Sequence, residues 1–375
     1  MQSTVMLLGA GELARELVIA FQRLGAVVIA VDAEPDAPAQ RAADRALTAA
    51  PTDSAEIAGL IERERPAVVV VGDGWPGPHG REDVEVLPSA KAAALTADRE
   101  GLRRLAADEL GLPTAPFWFA SSAAELAAVA AHAGYPLVVS PLGPPAGEGQ
   151  SVLLRAEDVE PAWTRATATG AGRVMAESVV EVDYQVTLLT VRGVKPGGHG
   201  VQFCEPIGHR LVGDAVETWQ PQAMSPAALD VAKSVAARIV NALGGRGLFG
   251  VELLVRGDEV YFADVSAHPF ASGLVTVRSQ RLSAFELHAR AVLGLPVDTI
   301  LVSPGAAELV SAPRDAAPAT ADPIPVLADA LHTAESDVLL FGPPHRHAAA
   351  IATAPDVIRA RDRVRQLAAA LRKLW

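Results

Sequence analysis

The stretch VMLLGAGELARELVIAFQRLGAVVIAVD, residues 5–32, decides the fold of the N-terminal part of the chain. It begins with a short apolar strand, turns at Gly9–Gly11, and continues as an amphipathic helix that Gly25 ends. A second apolar strand follows and ends at Asp32. This order of strand, glycine turn, helix and strand predicts a βαβ unit with two parallel strands.

The glycine turn supports two interpretations. Gly9-x-Gly11-x-x-Ala14, with Asp32 about 20 residues further on, matches the dinucleotide fingerprint, in which the acid binds a ribose hydroxyl of NAD. However, any βαβ unit needs a tight turn here, and many bind other ligands at the helix N-terminus. Glu12 at that N-terminus opposes a pyrophosphate and favours a ligand that carries an amine or hydroxyl groups.

Length, charge and cysteine content exclude several classes of protein. The chain has 375 residues, enough for two or three domains. Its net charge of −12 argues against a nucleic-acid partner, because binding phosphate backbones needs a basic surface. The single cysteine, Cys204, excludes an internal disulfide framework. No apolar run reaches the roughly 18 residues of a membrane span, so we expect a cytoplasmic protein with no membrane partner.

The remaining segments predict an α/β and α+β protein of three domains, namely residues 1–95, 96–180 and 181–375. The first is a Rossmann-like α/β domain around the βαβ unit. The second mixes strands, helices and hairpins after a linker helix at about 96–110, which begins at a Thr96 cap and ends at Gly111. The third contains longer antiparallel strands, and a small terminal unit begins at about residue 326.

A glycine-rich loop interrupts the second domain. The sequence VVSPLGPPAGEGQSV, residues 138–152, runs from one strand through three glycines into another strand. Backbone N–H groups of such a loop can cover a phosphate chain. The loop contains no lysine, however, and its middle carries Glu148. From the residues alone, it is a phosphate loop, a phosphate loop that has lost its charge, or only a turn.

Two carboxylates flank a predicted hairpin near residue 257. Glu252 and Asp264 lie on facing strands and can hold Mg²⁺ between them and the phosphates of a nucleotide. A two-residue turn pairs Glu252 with Ala263 and leaves Asp264 on the other face, whereas an odd loop or a bulge brings the two carboxylates to one face. The metal interpretation therefore predicts an odd loop or a bulge; the alternative is two ordinary acids at strand ends.

Several long blocks of the chain together resemble the ATP-grasp superfamily and, within it, the formate-dependent phosphoribosylglycinamide formyltransferases. These blocks are VMLLGAGELARELVIAFQRLGAVVIAVDAEPDAPAQ, LTADREGLRRLAADELGLPT, VTLLTV, PIGH…ETWQPQAMSP and ALGGRGLFGVELLV. The resemblance implies an ATP-grasp fold with an N-terminal Rossmann-like domain, a central lid domain and a C-terminal ATP-grasp domain, with ATP between the last two. It also implies a homodimer, and it displaces the NAD interpretation.

The same resemblance implies an enzyme that uses ATP and Mg²⁺. In this family ATP phosphorylates formate, and the resulting acyl phosphate formylates the amine of glycinamide ribonucleotide. The implied ATP-binding residues are Arg99, Ser140, Gly147, Gly149, Gln150, Glu177, Val179, Val180 and Gln185. The implied magnesium ligands are Glu252 and Asp264. The implied substrate-binding residues are Glu12, Leu13, His345 and Arg346.

Several positions depart from the family pattern, chiefly by loss of charge. They are Ser140 in place of a phosphate-binding lysine, Glu148 in place of a basic residue, Gln185 in place of a ribose-binding carboxylate, Ala271 in place of an aspartate and Pro343 in place of a lysine. These losses leave three hypotheses open. The protein is a working formyltransferase, a degenerate relative with weak or no ATP binding and a non-catalytic role, or a ligase for another carboxylate and amine.

Overall fold

The protein is described by a computed structural model that covers residues 3–72, 75, 84–143, 149–195, 198–212, 215–313, 322–341 and 347–375. Within these ranges no helix is long and apolar enough to cross a bilayer. The chain divides into two compact units. The larger unit comprises Met1–Ala93, Gln185–Glu252 and Val265–Trp375, and the smaller unit comprises Ala94–Tyr184 and Leu253–Asp264. The three domain boundaries drawn from the sequence stay a prediction.

Strands and helices alternate at first and then give way to longer strands. The strands are β1 (Thr4–Leu8), β2 (Val27–Asp32), β3 (Arg45–Thr48), β4 (Val68–Val71), β5 (Glu85–Leu87), β6 (Phe117–Ala120), β7 (Leu137–Pro141), β8 (Ser151–Leu153), β9 (Val174–Ser178), β10 (Tyr184–Lys195), β11 (Gly198–Phe203), β12 (Ile207–Val212), β13 (Ala215–Gln220), β14 (Gly247–Arg256), β15 (Glu259–Ser266), β16 (Gly305–Ser311), β17 (Ser336–Leu340) and β18 (His347–Thr353). The helices are α1 (Glu12–Arg23), α2 (Ser54–Glu64), α3 (Ala90–Ala97), α4 (Arg99–Arg104), α5 (Ala123–Ala133), α6 (Val159–Thr167), α7 (Pro226–Leu243), α8 (Thr276–Ser279), α9 (Ala284–Val292), α10 (Ile324–Ala330) and α11 (Val357–Leu371).

A five-stranded parallel sheet with the order β3-β2-β1-β4-β5 forms the N-terminal part of the larger unit. Val5 pairs with Val28 of β2 on one side and with Val68 of β4 on the other. The central strands are buried on both faces, as a parallel sheet covered by helices requires. The predicted βαβ unit is therefore confirmed, and β3 is a strand that the sequence did not predict.

A largely antiparallel sheet contains the remaining strands of the larger unit, and its part from Leu253 to Asp264 belongs to the smaller unit. Its strands follow the order β15-β14-β10-β12-β13-β16-β18-β17, and β11 pairs with β10. Helix α11 covers β18, with Val364 and Leu367 buried against Ala350. Strands β16 and β18 are buried over most of their length.

A four-stranded sheet with the order β6-β9-β7-β8 belongs to the smaller unit. Its first face packs against α5 and α6 through Val139 and Ala176. Because successive side chains of a strand point to opposite faces, Ser140 and Glu177 lie on the other face. Across the strands, Ser140 pairs with Met175 and Glu177 pairs with Phe117. Both pairings agree with a position of Ser140 and Glu177 on that other face. We call this face, which does not pack against α5 and α6, the second face.

The predicted linker helix at 96–110 is wrong in its start. Thr96 lies inside α3, and the chain breaks at Asp98, which is the N-cap of α4. Asp98 is extended, and its carboxylate lies over Gly101, where a Cβ would come within 2.5 Å of Oδ2. Both Thr96 and Asp98 are residue types that favour an N-cap, but only the glycine three residues after Asp98 leaves room for its side chain. A single π-helical turn follows at Leu105–Glu109.

Candidate functional site

The glycine turn of the first βαβ unit is closed by its own chain. The carboxylate of Asp32 accepts hydrogen bonds from the backbone N–H of Ala10, at 2.6 Å, and of Glu34, at 3.1 Å. Gly9 has a φ of +90°, and a Cβ at this position would lie 2.9 Å from the ring of Trp75. Asp32 thus holds the turn together, a structural role for this acid that needs no ribose.

Glu12, at the N-terminus of α1, meets the beginning of β18. Its Oε2 lies 2.7 Å from Nδ1 of His347. His345 and Arg346, the other polar residues predicted to bind the substrate, lie outside the described residues. His347 follows Arg346 directly in the chain, so Glu12 lies beside the residue that comes next after two of the predicted substrate-binding residues. No pattern in the sequence indicates the contact between Glu12 and His347.

A second contact joins α1 to the same part of the sheet. The guanidinium of Arg15 donates a hydrogen bond to the carbonyl oxygen of Leu340, at the end of β17. Leu13, the other residue predicted to bind the substrate at the turn, packs against the hydrophobic core of the larger unit. Glu12 therefore supplies the polar side chain at this helix end, and Leu13 holds the helix in place.

The second face of the four-stranded sheet brings together two of the predicted ATP-binding residues around the glycine loop. Ser140, at the end of β7, is 1% exposed, and its Oγ accepts a hydrogen bond of 3.0 Å from the amide Nε2 of Gln150. Gln150 stands at the end of the loop, just before β8. Gly147 and Glu148, in the middle of the loop, lie outside the described residues. A neutral pair thus occupies the position where the resemblance implies a lysine.

Gly149 is needed for packing as well as for its backbone conformation. Its φ is +72°, in the left-handed region that favours glycine. A Cβ here would lie 2.8 Å from Cγ2 of Thr169 and 3.1 Å from the carbonyl oxygen of Arg165 on α6. The loop end therefore approaches this helix so closely that a larger residue would displace it.

Glu177, on the second face, is bound by a buried arginine. Its Oε1 lies 2.7 Å from Nη2 of Arg103 in α4. Since Glu177 lies in a central strand, its backbone is also committed to the sheet. Beyond the strand, the N–H of Val179 donates to the carbonyl of Pro136 at 3.2 Å, and Val180 is half-buried. A ligand that binds the backbone of this segment therefore contacts the carbonyl oxygen of Val179 or the backbone of Val180.

Arg99 and Gln185, the remaining predicted ATP-binding residues, lie in different units. Arg99 opens α4, four residues before Arg103, so both side chains leave the helix on the same side. It is half-buried and makes no hydrogen bond or ion pair with any residue that the structure describes. The assignment of Arg99 to ATP stays a prediction. Gln185 is exposed at the beginning of β10, opposite His209 of β12.

The hairpin that carries the predicted metal ligands has a two-residue loop, Gly257 and Asp258, between β14 and β15. The metal interpretation allowed a loop with an odd number of residues, and that prediction is therefore wrong. The alternative, a bulge, agrees with the burial along β15. Val260 and Phe262 are buried, but burial then shifts by one position, so that Asp264 is half-buried and Val265 is buried. Glu252 is also half-buried.

Both hairpin acids supply the hard oxygen donors that Mg²⁺ prefers. No group of three or more His, Cys, Asp or Glu side chains suitable for a metal is present among the residues that the structure describes. Two carboxylates are nevertheless enough where phosphate oxygens and water complete the coordination. The assignment of Glu252 and Asp264 to a metal stays a prediction.

Apolar and neutral side chains fill the region around Ala271. The ring of Phe270 packs so closely on Gly250 that a Cβ at Gly250 would lie 1.8 Å from it. His288 is fully buried and accepts a hydrogen bond of 3.1 Å at Nδ1 from the N–H of Leu248. Burial, followed by the nearby charge of His268, lowers the pKa of His288 to about 3. His288 is therefore neutral at physiological pH and cannot donate a proton as an imidazolium.

A cavity of about 410 Å³ lies along the outer part of α1, lined by Glu16, Arg23, Gln280 and Asp337 among others. No residue predicted to bind ATP, metal or substrate lines it. The charges at its wall largely pair with each other: Arg23 lies 3.3 Å from Glu286, and Arg278 pairs with Asp337. Burial raises the pKa of Glu16. These pairings leave little net charge to attract a triphosphate or a ribonucleotide phosphate.

Comparison with known proteins adds independent observations. The ATP-grasp domain family matches residues 105–285, and the ribonucleotide synthetase preATP-grasp domain family matches residues 1–70. The chain is 49% identical to the formate-dependent phosphoribosylglycinamide formyltransferase of Paraburkholderia xenovorans (strain LB400), over 98% of this chain and 95% of that protein. It is 48% identical to the protein of the same name from Rhodococcus jostii (strain RHA1), over 97% and 94%.

Solved structures give the same result for the fold. The structure described as glycinamide-RNase-transformylase T from Mycobacterium tuberculosis superposes with a TM-score of 0.82 at 49% identity, covering 98% of this chain and 99% of that one. N5-carboxyaminoimidazole ribonucleotide synthetase from Thermus thermophilus superposes with a TM-score of 0.83 at 23% identity, covering 98% of each chain, which shows the shared fold alone. The mixed α/β architecture with an ATP-grasp fold, expected from the sequence, is confirmed.

Proposed function

The chain belongs to the formate-dependent phosphoribosylglycinamide formyltransferases, enzymes of the ATP-grasp superfamily, and from this premise we propose that it formylates glycinamide ribonucleotide with formate and ATP. The observation that carries the proposal is the 49% identity to such an enzyme over 98% of the chain. The contacts around Glu12 and Glu177 support it, because both residues match the family pattern of binding residues.

The proposed reaction has two steps. A formate oxygen attacks the γ-phosphorus of ATP, and the bond to the β-phosphate oxygen breaks, which yields formyl phosphate and ADP. The amine of glycinamide ribonucleotide then attacks the formyl carbon, the bond from carbon to the phosphate oxygen breaks, and the amine loses a proton to water. The products are formyl-glycinamide ribonucleotide, ADP and phosphate.

The protein contributes positioning and neutralisation of charge, as is usual in phosphoryl transfer. In the smaller unit, the half-buried Arg99 is suited to a phosphate, and the segment at Val179 and Val180 is suited to adenine. The uncharged pair of Ser140 and Gln150 fixes the loop end without supplying a positive charge. A charge-assisted contact contributes about 1.5–3 kcal/mol, so we expect ATP to bind roughly ten- to a hundredfold more weakly than with a lysine.

Glu252 and Asp264 are the residues that would hold Mg²⁺, because both are half-buried carboxylates on the hairpin that the family pattern assigns to the metal. Bound Mg²⁺ would neutralise charge on the phosphate oxygens during transfer. Asp264 keeps the charge of the family's glutamate on an arm that is one methylene shorter.

On the substrate side we propose that Glu12 accepts a hydrogen bond from the amine or a hydroxyl of the ribonucleotide. Nδ1 of His347 lies 2.7 Å from the Glu12 carboxylate and limits the directions from which a ligand can approach it. We assign the phosphate of the ribonucleotide to the segment of His345 and Arg346. Family membership also favours a homodimer in the cytoplasm, and light scattering of the purified protein tests the dimer.

The loss of charge near Ala271 favours a second candidate, a ligase of the same mechanism for another carboxylate and amine. Ala271 and Phe270 both pack against the apolar core, where the family pattern has an aspartate at Ala271. An amine substrate that makes no contact with an aspartate at position 271 would lose no affinity from the alanine there. A non-catalytic relative would not turn over ATP with any combination of carboxylate and amine.

Release of ADP in a coupled assay separates these functions. We expect sustained release of ADP only when formate and glycinamide ribonucleotide are both present with Mg²⁺ and ATP. Acetate in place of formate is the matched control for the carboxylate. ADP release with another carboxylate but not with formate would favour the second candidate, and no ATP binding at millimolar concentration would overturn both.

A further inference from the structure

Arg103 is a buried charge at the centre of the smaller unit. It lies in α4, is 6% exposed, and its guanidinium contacts three separate strands. Nη2 lies 2.7 Å from Oε1 of Glu177 on β9 and the guanidinium carbon lies 5.7 Å from the centre of the Phe117 ring on β6. A buried arginine is tolerated only when such partners compensate its desolvation, so this set of contacts fixes the side chain.

The third strand contacted is β15, and the contact is unusual. Nη1 donates to the carbonyl oxygen of Phe262 at 3.2 Å, and Nη2 donates to the carbonyl oxygen of Ala263 at 3.1 Å. In a regular strand the carbonyls of successive residues point in opposite directions. One guanidinium can reach both only if the strand is kinked between them.

A bulge at this point also explains the burial along the strand. Without a bulge, Asp264 would share a face with Phe262, which is buried in the core. With one extra residue at Ala263, Asp264 moves to the face of the half-buried Tyr261, and it is itself half-buried. The N–H of Phe262 donates to the carbonyl of Pro113 at 2.7 Å, which anchors the strand just before the kink.

We propose that Arg103 is a positioning residue for ATP and metal binding. It stabilises the bulge that turns Asp264 away from the core, and it fixes Glu177 in the strand that leads into Val179 and Val180. It acts through these groups and does not contact the substrates. The inference rests on the proposed function for the roles of Asp264 and of this segment.

Arg103→Lys tests the proposal, with Arg104→Met as the matched control. An ammonium is a compact point charge, so its single nitrogen cannot span the acceptors that Nη1 and Nη2 of the guanidinium reach separately. Arg104 is the next residue of the same helix, but it is more than half exposed and pairs only with Glu100 and the Phe119 ring among the residues that the structure describes. Thermal melting of each variant checks that it folds.

Manganese provides a probe of the metal site that does not depend on activity. Electron paramagnetic resonance measures Mn²⁺ binding in the presence of ADP, and calorimetry measures ADP binding with and without Mn²⁺. We expect Arg103→Lys to weaken Mn²⁺ binding at least tenfold, to raise KM for ATP, and to leave KM for formate within twofold. Arg104→Met should change none of these values by more than twofold.

A double-mutant cycle with Asp264→Asn distinguishes positioning from a general loss of stability. If Arg103 acts through Asp264, Arg103→Lys weakens Mn²⁺ binding in the wild-type background but by less than threefold when Asp264 is Asn. The proposal would be overturned if Arg103→Lys reduced the Mn²⁺ affinity equally with Asp or Asn at position 264. Unchanged Mn²⁺ binding in Arg103→Lys would also overturn it. Absence of nucleotide and Mn²⁺ binding in the wild-type protein would instead overturn the proposed function itself.

Discussion

The amide of Gln150 donates a hydrogen bond to Oγ of Ser140 at 3.0 Å, at the position where the family pattern has a phosphate-binding lysine. Ser140 lies on the second face of the four-stranded sheet, together with Glu177. A neutral pair therefore fixes the loop end at the proposed phosphate site. What has changed relative to the family is the charge, and this change can be reversed by mutation.

Ser140→Lys combined with Glu148→Lys should tighten ATP binding by about tenfold or more, because two positive charges replace a neutral and a negative group near the phosphates. Calorimetric titration with Mg-ATP measures the effect. Ser140→Ala removes the hydrogen bond without adding charge, and we expect it to change the affinity by less than threefold. An unchanged affinity in the double mutant would show that the loop does not approach the phosphates.

Glu12→Gln should raise KM for glycinamide ribonucleotide about tenfold, since it removes a charged acceptor near the ribonucleotide. The dissociation constant of ADP should stay the same. Glu16→Gln, one turn further along α1, is the matched control, because Glu16 lines the separate cavity. A similar rise in KM for both variants would contradict the assignment of Glu12.

Gly149→Ala should destabilise the protein more than Gly170→Ala. Both glycines have positive φ values, +72° and +89°, so the backbone strain on substitution is similar. A Cβ at Gly149 would crowd Thr169 and the Arg165 carbonyl, whereas a Cβ at Gly170 would have nothing within 4 Å. We expect a difference of about 1–3 kcal/mol in the free energy of unfolding, measured in urea. Equal losses would contradict the close packing on α6.

Glu217 should stabilise the larger unit at neutral pH but not in acid. It is 1% exposed, and its carboxylate lies 2.8 Å from Arg210, 2.9 Å from Arg361 and 3.2 Å from Arg365. Burial alone would raise the pKa of Glu217, but hydrogen bonds from Arg361 and then Arg210 outweigh it, and the pKa is lowered.

A carboxyl whose pKa is lower in the folded state stabilises the protein above its unfolded pKa, and this stability is lost as the pH falls through the folded pKa. Glu217→Gln should therefore cost about 3 kcal/mol near pH 7. The difference from wild type should shrink below the ordinary glutamate pKa of 4.5. Urea titrations at several pH values measure both, and a cost that does not depend on pH would show that the ion pairs contribute little.

His288 should make the protein less stable in mild acid. Burial lowers its pKa to about 3 in the folded state, so the unfolded chain takes up the proton first, near the ordinary value of 6.5. Stability from this residue is therefore present above pH 6.5 and is lost as the pH falls towards 3, by about 1.4 kcal/mol per pH unit. His288→Gln, which keeps an acceptor for the Leu248 N–H, should lack this dependence. An identical pH profile in the variant would contradict it.

The parts of the fold that follow from local patterns were predictable from the sequence. The βαβ unit around Gly9 and Gly11 is one example, because apolar period, glycine turn and helix end all lie within 28 residues of chain. The start of α4 was not, because Thr96 and Asp98 are both residue types that favour an N-cap and no local pattern chooses between them. Short strands such as β3 carry too few residues for a clear alternation.

The candidate site was predictable only as a set of residue types. The resemblance implied Ser140, Gln150 and Glu177, but not that Gln150 would bond Ser140 or that Arg103 would hold Glu177. These contacts join residues up to 160 positions apart, as between Arg103 and Ala263, and no local pattern encodes them. Likewise, the spacing of Glu252 and Asp264 in the sequence left the relative orientation of the two carboxylates open. We propose that this orientation depends on the kink at Ala263 and on Arg103 in a distant helix.

Transfer of oxygen from labelled formate tests the central claim most directly. If the protein activates formate as formyl phosphate, incubation of ¹⁸O-formate with ATP, Mg²⁺ and glycinamide ribonucleotide will place one ¹⁸O atom in inorganic phosphate. Mass spectrometry will detect it together with a formylated ribonucleotide in equal amount. Formation of ADP with unlabelled phosphate, or no formylated product at any enzyme concentration, would contradict the account.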